Sequence, residues 1–363
     1  MVNRLVYENL KHRPVRTLLS ATAIGVQVTL MLTLVGVSHG MLDDLAAHSR
    51  GTGADVLIRP PGSSILGFSG GTMPEGIVGV VRTLPHVTIA TGSFFASASR
   101  ALTSIAGINL DEFNAMSGGF KYLAGGPFKG PDDLIVDDVE ARSSHLHVGS
   151  VVDFGIKWRV TGIVESGKLS RMFADLKSLQ EKYSSIGKVT VILVKVDEPA
   201  NAQAVIDEVQ AKLPDYKVYS VEEYTSLLAP NNVPILKQFT GVVIGIGVVI
   251  GFLVVFLSMY TAVLERTREI GILKALGASP AYILGILLRE TVLLGVVGVV
   301  VGVLLTYATR ALINTFAPSF VTEIVYEWWP VAGTLALAAA LIGAIYPGLK
   351  AARQDAIEAL SYD

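Results

Sequence analysis

Four long runs without a charged residue constrain this chain more than any other feature of its sequence. The runs occupy residues 18–38, 240–264, 291–309 and 329–346. The first has roughly 21 residues, and at 1.5 Å per residue a helix of that length spans about 31 Å, the thickness of the hydrocarbon core of a bilayer. The sequence therefore predicts an α-helical integral membrane protein with four transmembrane helices, which we assign to residues 18–40, 239–264, 283–309 and 328–346.

The first run follows the basic residues Lys11, Arg13 and Arg16, as the apolar core of a signal peptide would. It is longer than the roughly 7–15 residues of a cleaved apolar core, and no small-residue cleavage site follows it directly. We therefore expect this segment to remain in the protein as an anchor.

Lysine and arginine are distributed unequally between the two sides of the predicted bundle. Nine lie beside the spans on one side, namely Arg4, Lys11, Arg13, Arg16, Arg266, Arg268, Lys274, Lys350 and Arg353. Four lie on the other side, namely Arg50, Arg59, Lys237 and Arg310. Because cytoplasmic segments carry the excess of basic residues, the N- and C-termini are predicted to be cytoplasmic. Residues 41–238 would then form a large extracytoplasmic domain between the first and second helices.

The extracytoplasmic segment has the pattern of an α+β domain. Strands are predicted at 54–59, 87–91, 189–196 and 217–220, and helices at 75–84 and 200–213. These two β-α-β units suit one ferredoxin-like subdomain split by an insertion, about residues 93–188, whose clearest strands lie at 151–154 and 158–164. The glycine-rich stretch 62–76 predicts a flexible loop, with contact to a hydrophobic partner as the alternative.

The composition excludes several classes of function. The chain has no cysteine, which rules out disulfides, thiolate metal sites and cysteine nucleophiles. Its 29 basic and 31 acidic residues give a net charge of −2, which argues against a nucleic-acid binder that relies on overall positive charge.

Three motifs resemble parts of active or metal sites, but we favour an ordinary structural explanation for each. Residues 162–168 fit the GxxxxGK spacing of a phosphate-binding loop, yet Leu169 stands where that loop needs Ser or Thr to hold magnesium. His145 and His147 could be two metal ligands on one strand face, but without a third ligand at a recognisable spacing a solvated turn is favoured. A set of clustered acidic residues is interpreted as a charged, solvated loop: Asp132, Asp133, Asp137, Asp138 and Glu140. We predict that the chain is not an enzyme and binds no cofactor or metal directly.

The predicted spans have almost no ionisable residue inside them. Arg289 and Glu290 are the exceptions, at the cytoplasmic start of the third helix, where we expect them to snorkel. Because polar paths through a bilayer are usually marked by ionisable groups, a channel is not expected. Glycines four residues apart are candidate helix-packing sites, although glycine is common in membrane helices in any case: Gly241, Gly245, Gly247, Gly251, Gly298 and Gly302.

Residues 265–279, ERTREIGILKALGAS, are the most informative segment. Ile270, Leu273, Leu276 and Gly277, at i, i+3, i+6 and i+7, predict an apolar stripe on a short helix, with Gly277 also as its C-terminal cap and Ser279-Pro280 starting the next helix. The alternative is an interfacial helix resting on lipid, but its mixed charges favour a protein partner.

At these residues the sequence resembles the FtsX-like permeases of the MacB type, also called type VII ABC transporter permeases. Residues 282–302, 3–16, 53–60, 147–167 and 347–360 are similar to the same family, so the resemblance covers nearly the whole chain. Ala356 departs from the family pattern, which usually has proline there.

The resemblance implies a permease that forms a dimer, with an identical or related second copy, and recruits two cytoplasmic ABC ATPase subunits. ATP and magnesium would be used by those subunits, which we expect to be separate polypeptides. Residues 1–17 would form a cytoplasmic amphipathic helix and 347–363 a cytoplasmic tail. The coupling helix would lie at 265–279, with the ATPase-coupling residues Glu265, Arg266, Arg268, Glu269, Ile270, Leu273, Lys274, Leu276 and Gly277.

The resemblance also implies the parts and the output of the extracytoplasmic domain. A Porter-like subdomain would occupy about 54–92 and 189–225, and a Sabre-like insertion about 93–188. In a bacterial cytoplasmic membrane the permease would relay force from the ATPase to this domain, called mechanotransmission, and export or extract a hydrophobic, amphiphilic or externally captured substrate. A periplasmic adaptor or outer-membrane component and membrane lipids would be further partners; nucleic acid would not.

Two other functions remain open at this point. One is an FtsX-like signalling module that uses the same movement to activate an external cell-wall hydrolase. The roughly 198-residue external domain favours transport, because division-type FtsX proteins usually have a smaller one. The other is a membrane-anchored enzyme, which no motif supports.

Overall fold

The structure is a computed structural model that describes residues 14–65, 71–97, 104–229 and 232–354. Most of the predicted N-terminal helix, the middle of the glycine-rich loop at 66–70 and the end of the predicted tail lie outside these residues.

The helices are α1 (Pro14–Arg50), α2 (Gly76–Arg82), α3 (Leu110–Ser117), α4 (Asp138–Ser143), α5 (Leu176–Lys182), α6 (Ala202–Lys212), α7 (Val221–Leu227), α8 (Pro234–Glu265), α9 (Thr267–Ala275), α10 (Pro280–Phe316) and α11 (Trp328–Arg353). The strands are β1 (Val56–Arg59), β2 (Met73–Pro74), β3 (Val87–Ser97), β4 (Ser104–Ile108), β5 (Tyr122–Gly125), β6 (Asp133–Asp137), β7 (Val151–Asp153), β8 (Lys157–Val164), β9 (Met172–Asp175), β10 (Lys188–Val189), β11 (Val191–Val196) and β12 (Lys217–Ser220).

The chain divides into two compact units. A helical unit contains Met1–His39, Pro234–Ile313 and Thr322–Asp363, and an α+β unit contains Gly40–Val233 and Asn314–Val321. The short segment Asn314–Val321 comprises the last residues of α10 and the residues that follow it, and Ser319 Oγ donates to Ser143 Oγ at 2.7 Å within the α+β unit.

Within the part of the chain that the structure describes, four helices are long and apolar enough to cross a membrane: α1, α8, α10 and α11. This confirms the predicted four transmembrane helices, although each helix is longer than its apolar run. Helix α10 continues to Phe316, and the following Ala317 precedes Pro318, a position that disfavours helical backbone. Helix α11 passes through Pro347 and ends at Arg353.

The helical unit has its own apolar core, in which α11 contributes small side chains. Ala332, Ala336, Ala340 and Ala344 follow one another at four-residue spacing and are buried with Val255 and Met259 of α8, among others. A Cβ on Gly343 would lie 2.8 Å from the carbonyl oxygen of Phe252. Small side chains therefore let α11 and α8 approach closely.

The α+β unit is built on a ten-stranded mixed sheet, and β2 and β10 form a separate antiparallel pair. The strand order of the ten-stranded sheet is β12-β1-β11-β3-β4-β9-β6-β8-β5, and β7 pairs with β8 beside this path. The first four strands are antiparallel neighbours, with α2 following β1 and α6 following β11 along the chain. This is the order that two interlocked β-α-β units produce.

Strand β3 joins the two parts of this sheet and is longer than predicted. It pairs with β11 through residues 87–93 and with β4 through residues 94–97. Phe94, Phe95 and Ala96 continue the buried apolar pattern beyond the predicted end at Thr91. The predicted strand 189–196 is instead interrupted at Thr190, whose Oγ accepts from Phe95 N at 3.0 Å and donates to Ser93 O at 3.1 Å.

Candidate coupling site

Helix α9 lies between α8 and α10 and is bounded by sharp changes in backbone direction. Arg266, with φ −111° and ψ 14°, separates it from α8. At its other end Gly277 N donates to Lys274 O at 2.9 Å and Ala278 N to Leu273 O at 3.0 Å. These two bonds are a Schellman motif, which requires the left-handed backbone that Gly277 adopts at φ +91°. Ser279 Oγ then accepts from Tyr282 N at 3.2 Å and caps α10, as the Ser279-Pro280 pair predicts.

The two faces of α9 differ in exposure. Arg266, Thr267, Ile270 and Gly271 are buried against the chain itself, and Ile270 belongs to the core of the helical unit. The exposed residues are Arg268, Glu269, Ile272, Ala275 and Leu276. The molecule therefore presents one side of this helix and uses the other to hold it in place.

The predicted apolar stripe does not lie on one face. Ile270 is buried, Leu273 is half-buried, and Leu276 is 80% exposed. At about 100° per residue, each step of three residues falls about 60° short of a full turn, so two steps displace Leu276 by about 120° from Ile270. Ile272, which the stripe omits, is exposed.

A buried ion pair fixes the start of α9. Arg266 Nη1 lies 3.2 Å from Glu290 Oε2 of α10, and their side chains are 8% and 1% exposed. The expectation that Glu290 snorkels is therefore wrong, because its carboxylate is enclosed by the helical unit and neutralised there; the neighbouring Arg289 is exposed. Buried charges are tolerated when they are paired in this way. Sequence reasoning missed Glu290 as a partner because the two residues are separated by 24 positions.

A second contact fixes the end of α9. Lys274 Nζ donates to the carbonyl oxygen of Gln354, the residue that follows α11. Lys350 of α11, which precedes Gln354, makes a further contact with α8. Its Nζ lies 3.1 Å from Tyr260 Oη and 4.9 Å from the centre of the Tyr260 ring. Of the predicted coupling residues, Lys274 and Arg266 thus bind their own chain, while Glu265, Arg268, Glu269, Leu276 and Gly277 are exposed.

The candidate helix-packing glycines fall into two groups. A Cβ on Gly298 would lie 2.6 Å from Ile24 Cβ, and one on Gly302 would lie 2.7 Å from the carbonyl oxygen of Gly25, so this pair lets α10 approach α1. A Cβ on Gly251 would overlap the Gln27 amide of α1, whereas Gly247 has more room. For Gly241 and Gly245, a Cβ would meet no atom within 4 Å among the described residues.

The resemblance to a phosphate-binding loop has a structural explanation. Lys168 Nζ donates to Ser117 O at 2.7 Å and to Gly119 O, and it lies 5.8 Å from the ring centre of Phe120. Lys168 therefore binds carbonyl groups beyond the end of α3, and burial lowers the pKa of its ammonium group. His145 and His147 are both exposed in a turn. Among the described residues no group of three or more His, Asp or Glu side chains could hold a metal ion.

The acidic cluster is not the solvated loop that the sequence predicts. Asp133 and Asp137 are the two ends of the buried strand β6 and are both 1% exposed. Arg159 lies 2.7 Å from Asp133, and two backbone N–H groups also donate to this carboxylate. Asp132 pairs with Lys182 and Asp138 with Arg142.

Comparison with known proteins gives consistent matches over most of the chain. The family model described as MacB-like periplasmic core domain matches residues 17–212, and the one described as FtsX-like permease C-terminal matches residues 241–356. The ABC transporter permease YknZ of Bacillus subtilis is 31% identical over 220 residues, which cover 58% of this chain and 53% of that protein. The macrolide export ATP-binding/permease protein MacB of Escherichia coli is 24% identical over 99% of this chain and 60% of its own length.

Among solved structures, the periplasmic region of MacB from Actinobacillus actinomycetemcomitans aligns with 48% of this chain and 92% of its own, at 14% identity and a TM-score of 0.38. The chain spans little more than half the length of the two relatives named above.

Proposed function

The chain belongs to the ABC transporter permeases of the MacB/FtsX type, and we propose that it couples ATP hydrolysis by a separate cytoplasmic ATPase to movement of its extracytoplasmic domain. Two ATPase subunits would act on a dimer of permease chains in the bacterial cytoplasmic membrane, with both termini in the cytoplasm. ATP and magnesium would be bound by the ATPase. The output would be export or extraction of a hydrophobic or amphiphilic substrate.

The observation that supports this proposal is that one side of α9 is fixed to the rest of the chain while the other side is exposed. Its inner side is fixed by the Arg266–Glu290 pair and by the bond from Lys274 to the end of α11. Its outer side exposes two apolar side chains, Ile272 and Leu276, beside the charged Arg268 and Glu269. A helix held in this way transfers an applied force to α8, α10 and α11 instead of yielding locally.

The residue composition of the spans favours a role in relaying force and argues against a channel. Helix α1 is unbroken over Pro14–Arg50. Glu290 is a buried charged residue of the described helices, and its charge is neutralised by Arg266. Ionisable groups that mark a path for polar solutes are thus lacking from the centre of the described spans.

The test is to exchange the exposed apolar residues of α9 for aspartate. Leu276→Asp and Ile272→Asp should weaken ATPase binding at least about tenfold, because loss of an interface hot spot costs roughly 2 kcal/mol or more. The measurement is recovery of the ATPase with the tagged permease from native membranes, followed by ATPase activity and substrate release in liposomes. Ile186→Asp, at a residue that is 74% exposed in the α+β unit, is the matched control.

Glu269→Lys should also uncouple the two proteins, because it reverses a charge on the exposed side. Leu273→Asp is a less discriminating variant, since Leu273 is half-buried and its replacement would disturb the permease itself. Unchanged recovery and activity of the ATPase with both aspartate variants of Ile272 and Leu276 would contradict the proposal. ATP-dependent activation of an external hydrolase without substrate release would replace transport with signalling.

A further inference from the structure

The outer end of α1 lies against the turn that precedes β9. Leu169 N donates to the carbonyl oxygen of His48 at 2.8 Å, and Leu169 itself is buried with the left-handed φ of +42°. A Cβ on Gly51 would overlap the carbonyl oxygen of Gly167, so this contact is made backbone to backbone. We call these four residues, His48, Gly51, Gly167 and Leu169, the α1 clamp.

An arginine beside the clamp adds a charged contact to α1. Arg171 Nη2 lies 2.8 Å from Asp44 Oδ2, one helical turn before His48. His48 Nδ1 is 2.7 Å from Asp44 O and 3.6 Å from Asp44 Oδ2, so the Asp44 carboxylate lies near both the Arg171 guanidinium and the His48 imidazole. Arg171 Nη1 is buried and has no hydrogen-bond partner within the described part of the chain.

A second carboxylate is available to Arg171. The backbone N of Asp137 donates to Arg171 O at 2.8 Å, which places the two residues side by side. Asp137 Oδ1 accepts from Glu140 N at 2.6 Å and caps α4, whereas Oδ2 is buried and without a partner among the described residues. Asp137 thus has an unused acceptor next to an arginine with an unused donor.

The surroundings of Asp137 favour its neutral form near neutral pH. Burial raises the pKa of Asp137 to about 7, and the nearby charges of Asp138 and Glu140 on α4 act in the same direction. The Glu140 N–H bond and the Arg171 charge oppose this rise. From α1, Asp44 pairs with Arg171 and His48 lies beside Asp44, and Asp138 is itself paired with Arg142.

We propose that Arg171 is shared between Asp44 and Asp137, and that proton binding by Asp137 determines how firmly the outer end of α1 is held. When Asp137 is protonated, Arg171 has one anionic partner, Asp44, and the contact with α1 is strongest. When Asp137 releases its proton to solvent, the new carboxylate attracts the guanidinium from its Nη1 side, so that one positive charge is shared between two carboxylates and the hold on α1 weakens. The device is independent of whether the chain transports or signals.

Hydrogen exchange of the full-length protein in detergent or nanodiscs tests this directly. The reporters are the peptides that cover residues 40–51 and 165–172, compared at pH 6 and pH 8 after correction for the intrinsic exchange rate. We expect protection of these peptides to be at least about threefold higher at pH 6, since roughly eight tenths of Asp137 changes form between one pH unit below and one pH unit above its pKa. Equal protection at the two pH values would overturn the proposal.

Two variants separate the role of Asp137 from that of the imidazole of His48. Asp137→Asn retains an oxygen that can cap α4 and should hold the peptides protected at both pH values. His48→Asn keeps a donor near the position of Nδ1 and should preserve the pH response. A response that persists in Asp137→Asn and vanishes in His48→Asn would assign the switch to His48 and refute the proposal. Asp111→Asn, at an exposed position on α3, is the control for removal of an acidic charge.

Discussion

At the scale of single residues, two buried carboxylates illustrate different ways to keep a charge inside a protein. Glu290 is neutralised by the guanidinium of Arg266 at 3.2 Å. Asp137 has an unpartnered oxygen, and burial instead raises its pKa to about 7. The first arrangement has a fixed charge pair, and the second responds to pH within the physiological range.

Glu290→Gln should destabilise the helical unit and loosen α9. The variant removes the anionic partner of a buried arginine, a change that typically costs about 3–5 kcal/mol. The expected result is a lower thermal unfolding temperature in detergent and loss of ATPase stimulation. Arg289→Gln, at the exposed neighbour, should leave both unchanged.

A double variant distinguishes charge pairing from position. Arg266→Met combined with Glu290→Met removes both charges and should regain much of the stability that the single variant loses. A double variant as unstable as Glu290→Gln would show that the ion pair is not the source of the effect.

The stability of the α+β unit should depend on Asp137 in a direction opposite to that of most carboxylates. Its pKa is raised in the folded state, so the folded state binds the proton more tightly than the unfolded chain. The contribution is fully present below about pH 4 and is lost as pH rises to about 7, with a size on the order of 2–4 kcal/mol. Asp137→Asn should flatten this part of the curve of unfolding free energy against pH, measured by denaturant titration. An unchanged slope in the variant would contradict the assignment.

The sequence shows a cluster of carboxylates between residues 132 and 140 but does not show which of them are buried. Asp132, Asp133, Asp137 and Asp138 look alike in a charged stretch. Their environments differ because Asp133 and Asp137 are the ends of a strand with neighbours on both sides, β9 and β8. That pairing is set by residues far away in the chain, so no local pattern reveals it.

At the scale of secondary-structure elements, the contact between α1 and α10 depends on the absence of side chains. Gly25, Gly298 and Gly302 line it, and Thr29 Oγ1 donates to Gly302 O at 3.0 Å across it. The glycine contacts and the hydrogen bond from Thr29 both require that the backbones of α1 and α10 lie close together.

Gly302→Leu should therefore separate α1 from α10. The new side chain would meet Val28 Cβ and the carbonyl oxygen of Gly25, and overpacking of this kind costs about 1–3 kcal/mol. The check is the thermal unfolding temperature in detergent, with Gly245→Leu as the control that meets no atom within 4 Å in the described residues. If Gly245→Leu leaves the monomer stable but removes a dimer in size-exclusion chromatography, Gly245 lies between copies.

Element types were more predictable than element ends. The apolar runs follow local rules and predict four spans, and Gly277 is the residue with left-handed backbone that follows α9, although α9 covers Thr267–Ala275 and not the whole of 265–279. The interruption at Thr190 and the length of β3 could not be predicted, because both depend on which strand lies alongside. The predicted stripe on α9 failed for a geometric reason, since three-residue steps alone do not stay on one helical face.

At the scale of the whole molecule, a bundle whose described spans have no ionisable residue at their centre should not conduct ions. Liposomes that contain the purified chain should show the same ion permeability as empty liposomes, with or without the ATPase and ATP. A fluorescent pH or sodium indicator inside the liposomes measures this. Ion flux that depends on the protein would indicate a hydrated passage and contradict the proposed role of the spans.

The continuity of the ten-stranded sheet has a practical consequence for anyone who wishes to divide the α+β unit. Because β3 pairs with β11 along one part of its length and with β4 along the other, a cut at either boundary would strip hydrogen-bonding partners from a strand that is otherwise interior. Each fragment would then carry a bare, apolar edge that invites self-association. Soluble pieces for crystallisation or antibody selection should accordingly keep both halves together.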